Sequence, residues 1–488
     1  MVFSSVAFLF YFLPAVLALY FLAPRRAKNL VLLLCSLFFY AWGEPVYLLL
    51  MIASIFVNYL LGLAISHAAA SHPPRHNHFW ARLRPSARFW LISACIFNLA
   101  LLGFFKYADF AASNLSLASG IDLPQPGLPL PLGISFYTFQ AMSYLIDLYR
   151  GDTPVQRNLI DFGTYVALFP QLIAGPIVRF KTIAHELSCR RESLSLFSAG
   201  ALRFTAGLGK KVILANGIGA VFDSVVQTAE QAGGFSELSV LTAWIGVFAF
   251  TMQIYFDFSG YSDMAIGLGS MFGFHFPENF DYPYLSKSIT EFWRRWHMTL
   301  GTWFREYVYI PLGGNRRGKL CQLKNIAVVW ALTGIWHGAS WNFLVWGLFF
   351  GALLIAEKLF WGERLKKAPA LLQHAYTMLL VMISWVIFSL DTPGDIFGCL
   401  GAMFGLTGNP AADQTGCYLL SSNAAFFLLA IMAITPLPKK LWQRFLQQFN
   451  GHPVIKWSLV SVGMTLLLLL TTAFLVASSY NPFLYFRF

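Results

Sequence analysis

The chain is 488 residues long, 57% hydrophobic, 17% aromatic and only 11% charged, with 48 Phe and a formal net charge of +12. Soluble globular chains carry about 25% charged residues, while disordered, collagenous, coiled-coil and disulfide-scaffold chains need high charge, periodic Gly, heptads or dense Cys. Those classes are excluded, and the lipid bilayer is the solvent for most of this chain.

A bilayer-crossing helix takes about 20 apolar residues. Stretches near that length run at 3–22, 29–42, 45–65, 89–105, 131–149, 212–227, 239–256, 326–338, 341–360, 371–390, 419–435 and 457–478. They predict an all-α polytopic membrane protein with 11–12 spans. The run 159–178 lies between Arg157 and Arg179 and contains Pro170, Gly175 and Pro176, so it reads as re-entrant. Arg25, Arg26 and Lys28 follow the first apolar stretch instead of preceding it, so that stretch reads as a retained span with the N-terminus outside, not as a signal peptide.

With spans alternating from there, the basic connections 25–28, 72–88, 150–157, 179–211, 257–324, 361–367 and 436–456 share one face. Only Lys106 and Arg487 of the 34 Lys and Arg fall outside it. By the positive-inside rule that face is cytoplasmic. Residues 1–478 then form one polytopic domain, with 257–324 as an inner amphipathic segment and 479–488 as an outer aromatic tail. The same rule accounts for the net charge. No nucleic-acid-binding motif accompanies it, so membrane lipids and not nucleic acid are the expected partner. The six cysteines include no C-x-x-C pair or zinc spacing; Cys399 and Cys417, both on the outer face, are open to pairing or to remaining free thiols. His72, His76 and His78, in a loop with Pro73 and Pro74, read as solvated side chains before a metal cluster.

Polar groups at membrane depth are costly, which makes them functional candidates. Asp257 and Asp263 reach the inner boundary. Six residues do not return to one helical face and Gly260 interrupts the run, so capping or hydrogen bonding is expected there before acid–base work. In Glu291-Phe-Trp-Arg-Arg-Trp-His-Met-Thr-Leu-Gly-Thr-Trp-Phe-Arg-Glu-Tyr307, helical spacing collects Phe292, Trp293, Trp296, Leu300, Trp303, Phe304 and Tyr307 into one apolar stripe. Arg294, Arg295, Arg305 and Glu306 flank or oppose it. A helix lying along the inner interface is predicted, with His297 at the stripe's edge, open to an interior or an interfacial role. Pro311 and Gly313-Gly314 end it and lead into the basic turn Asn315-Arg-Arg-Gly-Lys319. Residues 325–361 have cytoplasmic flanks and make a tight hairpin. The turn Gly338-Ala339-Ser340 puts His337 at its far end, as a neutral general base or as a ring bonded to nearby backbone.

Trp293-Arg-Arg-Trp-His297, Pro311-Leu-Gly-Gly-Asn315 and Trp336-His337-Gly338 resemble the membrane-bound O-acyltransferase (MBOAT) family. Met1-Val-Phe-Ser-Ser5, Phe38-Phe-Tyr-Ala-Trp42, Leu132-Gly-Ile-Ser-Phe136, Asp257-Phe-Ser-Gly-Tyr-Ser-Asp-Met264 and Pro482-Phe-Leu-Tyr-Phe486 are similar to its bacterial alginate O-acetyltransferase branch, nearly end to end. The resemblance implies a ring of spanning, re-entrant and interfacial helices around a central tunnel, in the bacterial inner membrane with both termini periplasmic. It implies His337 as active-site histidine, His297 as the second, more variable one, and Tyr485 as an acyl relay at the outer face. It further implies that acetyl-CoA is the cytoplasmic donor, with no resident cofactor or metal. A periplasmic SGNH-type acyltransferase is implied as partner, with an exported polysaccharide as final acceptor: alginate, peptidoglycan or cellulose. Arg294, Arg295, Arg316, Arg317 and Lys319 are the candidates for CoA phosphates. The rival readings are a multi-pass transporter or flippase, which predicts related halves that are not found, and a scaffold in which His337 is dispensable.

Overall fold

A computed structural model describes residues 2–70, 86–173, 175–477 and 483–484. Every regular element among them is helical. Among the described residues seven helices are long and apolar enough to cross a membrane: Tyr47–Ala70, Ala87–Ser119, Leu194–Ala232, Val240–Met271, Trp341–Lys367, Ala370–Ser389 and Pro453–Ala477. Gln414–Ser422 and Ala424–Ala433, bent by 59° at Asn423, add an eighth if they form one span.

This is fewer than the 11–12 spans expected from hydropathy. Apolar content marks where the chain avoids water but not where the helix stops. Phe8–Leu22 ends before Pro24 and Lys28–Gly43 has 16 residues, short of the length a bilayer core requires, while Ile134–Arg150, with 17, is at its lower limit. The 159–178 stretch breaks into Leu159–Ala167 and Phe169–Leu172, with Pro170 in the first turn of the second helix.

The chain forms two compact units, residues 1–204 with 264–277, and 205–263 with 278–488. An aromatic cluster lies at the heart of the first: Phe12 packs edge-on against Phe169 at 5.4 Å between centroids, and Phe8 against Phe39 at 5.9 Å. At one margin Tyr20 and Lys28 both donate to Glu192, at 2.6 and 2.9 Å. Partial burial opposes ionisation of that carboxyl, but the two donors outweigh it and hold its pKa below the usual range.

The second unit carries the candidate site. Its hairpin is built from Lys319–His337 and Trp341–Ala356. A side chain at Gly334 would strike the carbonyl of Phe343, and one at Gly347 that of Trp330, so only glycine allows the two helices to touch. The sequence-predicted hairpin is therefore present. The interruption that sequence placed at Gly260 is absent: Asp257, Gly260 and Asp263 lie inside the unbroken Val240–Met271 helix. Gly260 is a contact point and not a break, because a Cβ there would sit 2.8 Å from the carbonyl oxygen of Gly207 on a neighbouring helix.

The apolar stripe from 291 to 307 is also interrupted. Ile289–Arg295 and Met298–Phe304 are separate helices joined through His297 in the left-handed region, φ 44° and ψ 51°. Phe292, Trp296, Leu300, Trp303, Phe304 and Tyr307 are nonetheless buried as the stripe requires.

Candidate active site

The Ile289–Arg295 helix starts from two caps. Ser288 accepts from the Glu291 N–H at 3.0 Å. The buried carboxylate of Glu357, on the facing helix, accepts from the N–H groups of Ile289 (2.7 Å) and Thr290 (3.0 Å) and from the Thr290 hydroxyl (2.7 Å). A carboxylate there satisfies donors that a helix start leaves open and complements its dipole. Glu357 thereby ties the Arg294-to-His297 stretch to the hairpin.

The left-handed turn at His297 costs about 1–3 kcal/mol for a residue with a Cβ and needs a surrounding structure that enforces it. Asn279 supplies that structure. Its backbone carbonyl accepts from Met298 N–H at 3.0 Å, and its side-chain oxygen accepts from the hydroxyl of Thr299 (2.8 Å) and the Thr299 N–H (3.3 Å). The Thr299 N–H can only donate, so the Asn279 atom facing it is oxygen. That same oxygen lies 3.1 Å from Nδ1 of His297. Nδ1 must therefore carry the proton, and Nε2 keeps its lone pair. Among the described residues Nε2 has no hydrogen-bond partner. The ring is 1% exposed, with Phe258 edge-on at 4.7 Å. Burial holds it neutral, pushing its pKa down to about 3. A neutral imidazole with a fixed tautomer and a free lone pair is a competent proton acceptor.

His297 belongs to the wall of a cleft of about 1420 Å³. Lys287, Arg294, Arg305, Lys358 and Lys366 line the same cleft, and Trp293 and Trp330, 4.5 Å apart, form an aromatic wall. A cavity with clustered cations, an apolar wall and a neutral base suits an anionic ligand that carries a longer, less polar reactive arm.

His337 is the last residue of its helix, followed by Gly338 in extended backbone. It is 5% exposed and ringed by Trp346, Trp336 and Phe388, at 4.9, 5.0 and 5.5 Å. It does not line the cleft, but Trp336, which touches it, also lies 6.2 Å from the His297 ring. The two histidines thus share one aromatic neighbour.

Of the basic residues singled out by sequence, Arg294 lines the cleft. Arg295 is engaged by Glu291 at 2.9 Å and Asp281 at 3.6 Å, while Arg316 and Arg317 on the turn before the hairpin and Lys319 at its first residue are exposed and outside the cleft lining. Lys287, Lys358, Lys366, Glu357 and Asn279 were not anticipated. Their signal is spatial only, since Asn279 sits in an unremarkable Glu278-Asn-Phe stretch 18 residues from His297. Tyr485 and the His72, His76 and His78 group lie outside the described residues. All six cysteines are free.

A polytopic helical protein with a buried neutral histidine beside a basic cleft has the parts of a membrane-embedded acid–base site for an anionic ligand. Residues 149–390 match the family described as MBOAT, membrane-bound O-acyltransferase family. The chain is 40% identical to a probable alginate O-acetylase AlgI of Pseudomonas putida, with both proteins covered in full. It is 42% identical to the Pseudomonas aeruginosa protein of the same description, over 89% of this chain and 82% of that one. To a peptidoglycan O-acetyltransferase of Helicobacter pylori it is 33% identical, over 100% of this chain and 98% of the other. The chain belongs to the membrane-bound O-acyltransferase family and is an O-acetyltransferase.

Proposed function

We propose that the chain takes acetyl groups from cytoplasmic acetyl-CoA and passes them across the bacterial inner membrane to a periplasmic SGNH-type acyltransferase, which O-acetylates an exported polysaccharide of the alginate kind. The observation that carries this reading is the basic cleft with His297 in its wall, in a chain matched over its full length by an alginate O-acetylase. The cleft's cations outnumber its carboxylates Glu291, Glu357 and Glu363, of which Glu363 pairs with Lys366 at 2.6 Å, so Lys287, Arg294, Arg305 and Lys358 suit the phosphates of CoA, and the tryptophan wall suits its pantetheine arm and thioester.

In this reading a hydroxyl oxygen attacks the thioester carbonyl while His337 accepts its proton. The C–S bond breaks and the proton passes to the departing thiolate, so one ester and one free CoA form for each thioester consumed. His297, neutral and with Nε2 open, assists from the cleft side. The enclosed aromatic surroundings keep water from the thioester. The outer acceptor is Tyr485, whose phenol, ordinarily near pKa 10, needs such a base.

The test is acetyl transfer by purified protein in nanodiscs, with labelled acetyl-CoA, the periplasmic partner and polymannuronate. Labelled polymer and stoichiometric CoA release are expected. Release of CoA with label appearing only on peptidoglycan fragments would shift the acceptor to the one named for the Helicobacter relative; no consumption of acetyl-CoA with any acceptor would refute the donor.

A further inference from the structure

We infer that the buried Lys211–Asp257 pair is a latch that seats Phe483 and Leu484 near His297, and that the two residues are positioning residues for acyl transfer. The inference rests on the acyl-transfer reading above and adds what holds the tail.

Lys210 and Lys211 open a π-helical turn, Lys210–Ala215. Successive side chains on a helix point about 100° apart, and the two lysines meet two different carboxylates on the Val240–Met271 helix. Lys210 pairs with Asp263 at 2.6 Å and Lys211 with Asp257 at 2.5 Å. The first pair is partly exposed, whereas the side chains of the second are 4% and 1% exposed.

Joining the helices does not require the second pair. Gly260 already brings them into contact, and a buried ion pair is commonly no better for stability than apolar residues of the same volume. What an apolar pair lacks is an acceptor. The other oxygen of Asp257 accepts the backbone N–H of Leu484 at 2.8 Å, while Lys211 engages the first oxygen. One residue earlier Phe483 is 3% exposed, packed on Tyr261 at 4.8 Å and on Phe258 at 5.9 Å. Phe258 is the ring that stands edge-on to His297. A short stretch of one helix therefore holds Leu484 by its backbone, holds Phe483 by its side chain, and packs the candidate base.

The test uses the full chain in nanodiscs carrying Leu484→Cys, with maleimide modification at that cysteine read by peptide mass spectrometry. Asp257→Leu with Lys211→Met removes both charges together, leaving no unpaired ion. Phe483→Ala loosens the tail without touching the helix contact, and Lys210→Met with Asp263→Leu is the matched control. The first two are expected to raise the modification rate at least 10-fold and the control to leave it unchanged. In Leu484 protein the same two should lower acetyl transfer at least 10-fold with KM for acetyl-CoA within about 2-fold, a split that collapse of the fold would not produce. Unchanged modification in both variants overturns the latch, and faster modification with undiminished transfer overturns the positioning role. Absence of transfer in the unaltered protein sinks the acyl-transfer reading instead and leaves the modification result standing.

Discussion

Asn279→Ala tests the site most sharply, because a single oxygen fixes both a backbone turn and a tautomer. In the unaltered protein that oxygen receives His297 Nδ1–H, Thr299 N–H and the Thr299 hydroxyl, all buried. The hydroxyl can rotate to another acceptor, but the other two donors are fixed in place. A buried donor left unpaired costs about 1–3 kcal/mol, so the local penalty is about 2–6 kcal/mol. The protein can escape it by opening the Trp296–Met298 turn, which releases the left-handed strain and turns the imidazole away. Either response removes the fixed lone pair at Nε2. Losing about 1.4–2.8 kcal/mol of preference for the productive tautomer and position corresponds to about a 10–100-fold fall in rate. Steady-state acetyl transfer by protein matched for membrane accumulation measures it. Asn279→Asp keeps the acceptor and should retain the tautomer, while its charge raises the basicity of His297. The acid limb of its pH–rate profile should accordingly move to higher pH. Full activity in Asn279→Ala, with the protein intact in the membrane, would refute the assignment of His297 Nε2 as an oriented base.

Further outcomes follow from the same geometry. His337→Ala should lower acetyl transfer by about 10²–10⁴-fold, the usual share of a general base, with membrane accumulation unchanged on immunoblots; persistent transfer would favour a scaffold role. Arg294→Gln combined with Arg305→Gln removes two cleft cations, each worth about 1 kcal/mol or less at such exposed positions. A rise in KM for acetyl-CoA of about 3–10-fold, weaker salt dependence and kcat within about 2-fold are expected from initial rates. Burial depresses the His297 pKa from its ordinary 6.5 to about 3, so on acidification the unfolded chain takes up that proton first. Stability should therefore fall from pH 6.5 toward pH 3, by at most about 1.4 kcal/mol per pH unit from this group. Thermal melts in detergent measure the slope, and His297→Gln should flatten it.

Much of this protein is legible in its sequence. Bilayer partition is a sum over about 20 consecutive residues, so apolar runs and flanking charges reveal a polytopic chain without any knowledge of packing. The His337 hairpin is legible for the same local reason: a glycine turn lies between two apolar stretches with basic flanks. Burial of Phe292, Trp296, Leu300 and Trp303 is also legible from their apolar spacing, although the single helix that spacing implies is broken at His297.

Hydropathy overstated the number of spans because it is blind to where a helix breaks, as at Pro24. It missed the turn at His297 because no glycine announces it; the left-handed backbone is imposed by Asn279 from another segment. Asp257 looked like a boundary residue because its ion partner is 46 positions earlier and its tail donor 227 positions later. The tertiary structure alone decided which lysines line the cleft and which histidine nitrogen stays open. Such pairings depend on helix register and approach across long sequence separations, and a shift of one residue moves a side chain by about 100° around its axis.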